Sequence, residues 1–296
     1  MMKMFVMMLL VVALAGCEGV VPESTTEMLS ATAEAVAGQA AEVAEQAMAE
    51  VEEQTSGETH AVHWAYEGEG GPENWDELGY PDCAGTTQSP INLASAAGAD
   101  LENIQFAYGD AAVKMLNNGH TIQVDQIEGS QIVIGGETYL LKQFHFHSPS
   151  EHTLNGESFP IEMHLVHKTA DESKAAVVGV FIREGAENEA LASVWAHLPA
   201  EESPYVLNEH EEKVYTPQDT GESISLAALL PAEALFFRYE GSLTTPPCTS
   251  GILWSVLQMP IEMSAEQIAQ FTRIMEGNNR PLQDLNARTL QVDETA

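Results

Sequence analysis

Between Gln143 and His164 the chain sets histidines on two alternating runs, and no other feature narrows its possible folds so far. The first reads Gln143-Phe144-His145-Phe146-His147 and the second Glu162-Met163-His164-Leu165-Val166. In an extended strand residues i and i+2 share a face. His145 and His147 therefore project to one side while Phe144 and Phe146 pack on the other. On the second run Glu162, His164 and Val166 share a face, opposed by Met163 and Leu165. Two adjacent strands then present three imidazoles to one point. Three nitrogen ligands with an open fourth position describe a catalytic zinc site, because structural sites are closed by four. Gln143 and Glu162 stand two residues before His145 and His164 on the same faces, where they can accept from the second ring nitrogens.

A single His-x-His pair among ten histidines would mean only a solvated or hydrogen-bonded strand face. The third histidine, on a run of matching polarity, is what favours metal. Around these two runs, short alternating or apolar stretches recur at 104–108, 121–124, 131–134, 138–146, 161–166, 175–182, 234–239 and 252–258. Most are bounded by Gly, Pro, Asn or Asp, the residues that turn a chain. Helical spacing is confined to 187–196, 225–230 and 264–275, the last with an N-cap signal at Ser264-Ala265-Glu266. The pattern predicts a mostly β single domain over residues 60–296 with a few short helices.

What precedes that domain has a different composition. Lys3 is followed by an apolar run over 4–13 and then Leu14-Ala15-Gly16-Cys17. Residues 1–16 read as a signal peptide, too short to span a membrane as a helix. Its end resembles a bacterial lipobox, which would make Cys17 the lipidated first residue of an exported, membrane-anchored protein; an ordinary cleavage site with a chance cysteine is the alternative. Residues 18–59 hold ten Glu with no Asp, Lys or Arg, and are dominated by Ala. Ser24-Thr25-Thr26-Glu27 reads as a capping box opening a helix of about 30 residues, about 45 Å long. Val36, Ala40, Val43 and Ala47 hint at heptads, too few for a coiled coil, so an acidic stalk (17–59 with its lipidated Cys) is the simpler reading.

With Cys17 assigned to lipid, Cys83 and Cys248 remain as a pair in an oxidising compartment, which favours a disulfide over a second metal site. Formal net charge is −34; the leader removes only Lys3, and subtracting the ten stalk glutamates from −35 leaves −25 on residues 60–296. Such a surface repels phosphate backbones, which excludes nucleic acid as a partner. It also repels itself, an effect salt screens, and so points to a saline or alkaline setting unless it is simply the soluble surface of an exported protein.

Several separated segments are recognisable together: His63-Trp64, Gly71-Pro72-Glu73-Asn74-Trp75, Gln88-Ser89-Pro90-Ile91-Asn92, Asn117-Asn118-Gly119-His120, the two histidine runs, Gly241-Ser242-Leu243-Thr244-Thr245-Pro246-Pro247-Cys248 and Asn279-Arg280-Pro281. In that order they resemble an α-class carbonic anhydrase of the bacterial exported type, over essentially all of residues 60–292. The resemblance implies a large twisted, mainly antiparallel sheet of about ten strands, with Zn2+ at the bottom of a conical cavity. It implies reversible hydration of carbon dioxide to bicarbonate and a proton by a zinc-bound hydroxide, and a Cys83–Cys248 bridge.

Residue by residue, His145, His147 and His164 match the zinc ligands. Gln143, Glu162 and the backbone carbonyl of Asn278 match their hydrogen-bond partners. Thr244 matches the hydroxyl that accepts from the nucleophile and passes its own proton to Glu151, while its N–H holds a substrate oxygen. Val166, Val177, Leu243, Ile252 and Trp254, with Thr244 and Thr245 beside them, match the substrate wall. His120 matches the proton shuttle, with Asn118, Gln123 and Tyr66 ordering its water chain, and His152 a buried structural histidine. His60, His63, His167, His197 and His210 are expected to be non-ligands, His63 near the cavity mouth. Ala65 and the acidic stretch 67–69 depart from the pattern at the rim. Carbon dioxide and bicarbonate are the implied partners, and a homodimer stays open. His145-x-His147-x-x-x-Glu151 also has cupin spacing, but nothing around His164 matches a second cupin motif. A non-catalytic module on the same fold would normally have lost a zinc histidine, and here all three stand.

Overall fold

A computed structural model describes residues 63–209 and 212–295 of the 296-residue chain. The leader, Cys17, the stalk, His60 and His210 lie outside the described residues. The centre of the fold is a 13-stranded sheet in which Glu137–His147 lies between Ile122–Val124 and Ile161–Lys168, followed by Ala175–Glu184, Ser250–Leu257 and Phe236–Ser242. Of its twelve strand pairings among the described residues, nine are antiparallel. Three are parallel, including Ala175–Glu184 against Ser250–Leu257, so the sheet is mixed, not purely antiparallel. Two further two-stranded sheets lie outside it.

One irregularity decides where the histidines point. Leu141 pairs with His167, but the next paired residue, Gln143, faces Val166, so Lys142 is an extra residue in the strand. This β-bulge reverses the in–out parity. Tyr139 and Leu141 before it, and Phe144 and Phe146 after it, consequently enter the same core. His145 and His147 are left on the opposite face, directly across from His164 and Glu162. Met163 and Leu165 join the Phe core, whereas Val166 belongs to a second core on the other side with Val177, Ile252 and Trp254. Both faces of Ile161–Lys168 are thus covered, and all but its last residue are buried.

The helices cover the Phe side. Helical spacing at 264–275 becomes Ala265–Thr272, opened by Ser264 with Gln267 in a reciprocal capping box. Spacing at 187–196 yields only a 3₁₀ turn, Glu189–Leu191, and one α turn, Ala192–Trp195; spacing at 225–230 yields the 3₁₀ turn Leu226–Leu229. Trp195 and Phe271 from these helices pack against Phe146, with ring centroids 5.0 and 5.7 Å away. The bridge between Cys83 and Cys248 is formed, with Cα atoms 5.0 Å apart, and ties the turn Pro81–Ala84 to the loop after Pro246-Pro247. A cross-link closing 165 residues of sequence stabilises a fold by up to about 5 kcal/mol on the chain-entropy model.

Candidate active site

Cross-strand register brings the three imidazoles together. His145 pairs with His164 across the ladder, and one ring nitrogen from each of His145, His147 and His164 lies within 4.8 Å of the others. The second nitrogen of each ring donates to a fixed acceptor. His145 Nδ1 donates to Gln143 Oε1 at 2.8 Å, His147 Nδ1 to the Asn278 carbonyl at 2.6 Å, and His164 Nε2 to Glu162 Oε1 at 2.9 Å. These bonds fix the tautomers and leave Nε2, Nε2 and Nδ1 as lone-pair donors toward one point. Burial first, then the neighbouring imidazoles, holds the His145 pKa well below the ordinary histidine value, and burial lowers that of His147. Both rings are neutral at neutral pH, the form that ligates metal. His147 Nε2 is buried with no hydrogen-bond partner. Such an orphan is costly unless something else occupies its lone pair, and a divalent cation does so.

Behind His164 the polar chain continues. Glu162 Oε2 accepts the His152 N–H at 2.8 Å and Oε1 accepts His152 Nδ1 at 2.8 Å; His152 Nε2 accepts the Tyr239 hydroxyl at 2.6 Å. Burial opposes the Glu162 charge, yet His152 and His164, which both donate to it, hold its pKa well below the carboxylate range. His152, Glu162 and His164 also cluster closely enough to suggest a second cation site, but their facing atoms are already hydrogen-bonded to one another. Their role is orientation. Gly241 permits this packing, because a Cβ there would stand 2.2 Å from Ser89 Oγ and 2.7 Å from the Tyr239 ring.

Glu151 is buried beside the imidazoles, with Oε2 3.5 Å from His147 Nε2 and 3.8 Å from His164 Nδ1. Its other oxygen accepts the Arg280 backbone N–H at 2.8 Å. The expected hydrogen bond from the Thr244 hydroxyl is not formed: Oε2 carries no hydrogen bond and is turned toward the two imidazoles instead. Thr244 is buried, in a loop pinned by Leu243 N–H to the Thr249 carbonyl and Cys248 N–H to the Thr245 carbonyl. Val166 and Trp254 both pair with Val177, one on each side, and the Trp254 ring stands 4.8 Å from that of His164. With Ile252 and the half-buried Leu243 they belong to one apolar cluster beside His164, and none of the five is among the residues lining the cavities that lead to the imidazoles.

Two connected cavities lead in from the surface. An inner one of about 110 Å³ is lined by His145, His147, Gln143, Thr245, Thr121, Tyr66 and Gln123. An outer cleft of about 980 Å³ is edged by Pro246, Pro247, Lys213 and Tyr215. Trp64, Asn118, His120 and Gln123 line both, so His120 sits at the throat of a tapering opening. Its ring stacks on Trp64 at 3.5 Å and 12°, and its Nε2 lies 3.4 Å from Nε2 of the exposed His63. Burial, then the charges of His63 and Lys213, lowers its pKa to about 4. Gly119, at φ 80°, makes the turn that presents it, and Asn118 Oδ1 closes that turn by accepting the His120 and Thr121 N–H groups. Tyr66 OH is buried without a partner at the same throat.

The family model for eukaryotic-type carbonic anhydrase matches residues 70–294. The chain belongs to the α-class carbonic anhydrase family. Members are zinc-dependent lyases, and the donor set above fits that metal. The chain is 42% identical over 237 residues to the carbonic anhydrase of Pectobacterium carotovorum, covering 78% of this chain and 91% of that one. It is 40% identical over 235 residues to the carbonic anhydrase of Neisseria gonorrhoeae, covering 77% and 87%. The solved α-carbonic anhydrase of Thermovibrio ammonificans, in complex with the inhibitor sulfanilamide, superimposes with a TM-score of 0.69 at 41% identity, covering 78% of this chain and 99% of that one.

Sequence reasoning gave no role to one residue of this carbonic anhydrase site. Arg280 is buried and donates to Gln88 Oε1, the Ser89 carbonyl and the Cys83 carbonyl, while its own N–H fixes Glu151. The available signal was scarcity: a lone cation between polar residues, in a chain with only 11 Lys and Arg, is a candidate for a structural task.

Proposed function

We propose that the protein catalyses reversible hydration of carbon dioxide to bicarbonate and a proton, with zinc held by His145 Nε2, His147 Nε2 and His164 Nδ1. The observation that carries this reading is the convergence of three imidazole nitrogens, each backed by a fixed acceptor, with His145 and His147 lining the inner end of a tapering cleft. When bound, zinc supplies the positive charge that makes a water nucleophilic near neutral pH. The chain supplies the rest. Val166, Val177, Leu243, Ile252 and Trp254 form the apolar cluster beside His164, the dry surroundings a small apolar substrate needs. Glu151, with Oε1 fixed by Arg280 and Oε2 free, is the acceptor for the Thr244 hydroxyl proton, which leaves the Thr244 oxygen to orient the attacking group. The Thr244 N–H serves the substrate oxygen, with Thr245 beside it. His120 carries the released proton outward, with Asn118, Gln123 and Tyr66 ordering the intervening water.

The stacked His120 is a weak base, since burial against Trp64 depresses its pKa. Turning off that ring toward solvent raises its basicity, and this motion suits a group that must accept a proton inside and release it outside. The same reading extends to the amino-terminal segment: a lipid on Cys17 after removal of residues 1–16, and an acidic stalk over 18–59 holding an exported domain at a membrane surface. Among the described residues no helix is long and apolar enough to cross a membrane. Metal analysis with stopped-flow hydration of carbon dioxide tests the activity. One zinc per chain and rapid, sulfonamide-sensitive hydration is expected; a fully loaded protein inert toward carbon dioxide sinks the reading. Metabolic lipid labelling tests the anchor, which fails if Cys17 matures unmodified.

A further inference from the structure

A cavity of about 380 Å³ that shares no lining residue with the active-site cleft lies over the strands Phe236–Ser242 and Ser250–Leu257. Two arginines line it, Arg238 and Arg288, together with Thr87, Thr289 and Gln291. That is an unusual placement in a chain with 45 acidic and only 11 basic residues. Among the described residues, Lys142, Lys168, Lys174, Arg183 and Lys213 each stand within ion-pair distance of a glutamate. Arg238 and Arg288 form no such pair. Arg288 spends its donors on neutral carbonyls: Nε on Leu285 at 3.0 Å, Nη1 on Glu240 at 3.1 Å and Nη2 on Asp284 at 2.7 Å. Those bonds hold the guanidinium in place without cancelling its charge.

Arg238 is less satisfied still. Its Nε donates to Ser255 Oγ at 3.0 Å, but its Nη2 is buried with no hydrogen-bond partner. Burial lowers its pKa only to about 10, with Asp293 and Glu102 partly opposing, so it stays cationic at neutral pH. A buried charged donor left unpaired is costly, and a small rotation of the guanidinium that brings Nη2 to an acceptor in the cavity recovers that cost. Glu240 on the wall opposes an anion, as do Asp293 and Glu102 near Arg238, so binding rests on direct hydrogen bonds from the two guanidinium groups and not on net charge. Planar forks of N–H donors match groups carrying two oxygens on one atom.

We propose that this cavity is a binding site for a small oxyanion, of the carboxylate, bicarbonate or phosphate type, held between Arg238 and Arg288. The Arg288 guanidinium stands 5.6 Å from the centre of the Tyr239 ring, whose hydroxyl bonds His152. The proposal does not depend on the carbonic anhydrase reading.

The test is calorimetric titration of the mature protein at pH 8, with phosphate or bicarbonate exchanged for chloride at constant ionic strength. Saturating sulfanilamide, the inhibitor bound in the Thermovibrio structure, blocks anions from the metal centre. One saturable site is expected. Arg238→Gln, which loses the Ser255 hydroxyl bond and the guanidinium stacked 4.5 Å over the Phe236 ring, should weaken binding about tenfold or more, and Arg288→Gln similarly. Arg183→Gln, an exposed and paired arginine elsewhere, should bind as the parent does. Near-UV circular dichroism confirms that Arg238→Gln is folded. Tighter bicarbonate than phosphate makes the site a sensor of bicarbonate; the reverse assigns it to phosphate-bearing ligands. Heats equal to chloride dilution, or a folded Arg238→Gln that titrates like the parent, overturn it.

Discussion

Each imidazole of the metal cluster is controlled by an atom on its far side, and those atoms differ in how visible they are from sequence. Gln143 and Glu162 could be read from spacing alone, because strand geometry puts residue i−2 beside the ligand. The Asn278 carbonyl could not, since every residue carries one and this one is 131 positions from His147. It was reached through family resemblance. Glu162 serves two imidazoles and a backbone N–H at once. Glu162→Gln keeps one acceptor oxygen but replaces the other with a donor, so His164 and His152 lose part of their constraint. Zinc affinity should fall about 10–100-fold by chelator competition, and unchanged affinity would show the carboxylate to be mere packing. His120→Ala should slow turnover in weak buffer and recover when a small imidazole-type buffer is added. Equal turnover with and without the side chain would remove His120 from proton transfer.

At the scale of elements, the ambiguity lay in parity. The stretch 138–146 reads as one alternating strand, but Tyr139-Leu140-Leu141-Lys142-Gln143-Phe144 changes phase in the middle, and only a bulge reconciles both halves with one core. Leu140 and Leu141 in sequence were the visible sign. Other strands carry no legible pattern, for different reasons. Asp110–Asn117 alternates in burial only over its first half and carries Asp, Ala, Lys or Asn, weak strand formers, at five of its eight positions. Gln218–Ser225 is an edge strand, largely exposed, with no apolar pattern to read. The bulge carries a sharp prediction. Deleting Lys142 forces either Tyr139 and Leu141 or the His145–His147 face to the wrong side. Leaving His145 and His147 in place exposes two core side chains at about 2 kcal/mol each, and saving the core removes two zinc ligands. Metal analysis should show little or no bound zinc, or a markedly lowered melting temperature. Lys142→Ala, which preserves the residue count, should retain both zinc and stability. A deletion variant with full zinc and native stability would mean the bulge does not set the face.

For the whole molecule, two electrostatic effects act in separate pH ranges. His167 is buried, donates Nδ1 to the Ala176 carbonyl at 3.3 Å and bonds the Tyr108 hydroxyl through Nε2 at 2.7 Å, and burial lowers its pKa to about 4. An unfolded histidine titrates near pH 6.5. Between about 6.5 and 4 the unfolded chain therefore binds a proton that the folded chain refuses, so stability falls as pH falls through that window. His120 acts in the same sense. The melting temperature should drop between pH 7 and pH 5.5, and less steeply in His167→Gln, although that variant starts lower. The second effect is the net charge of −34, visible in composition and untouched by folding. Among the described residues only a few carboxylates find cations, and exposed pairs such as Lys174–Glu137 are worth about 0–1 kcal/mol each. Repulsion among the remainder is the larger quantity. Raising NaCl from 0.02 to about 1 M shortens the screening length to about 3 Å, which silences like-charge repulsion across the surface while weakening only those few pairs. At pH 7.5 the melting temperature should rise by several degrees and level off once screening is complete, with KCl giving the same curve. A flat or falling curve would mean that the acidic surface imposes no net strain on the fold, and the inference of a saline setting would fall with it.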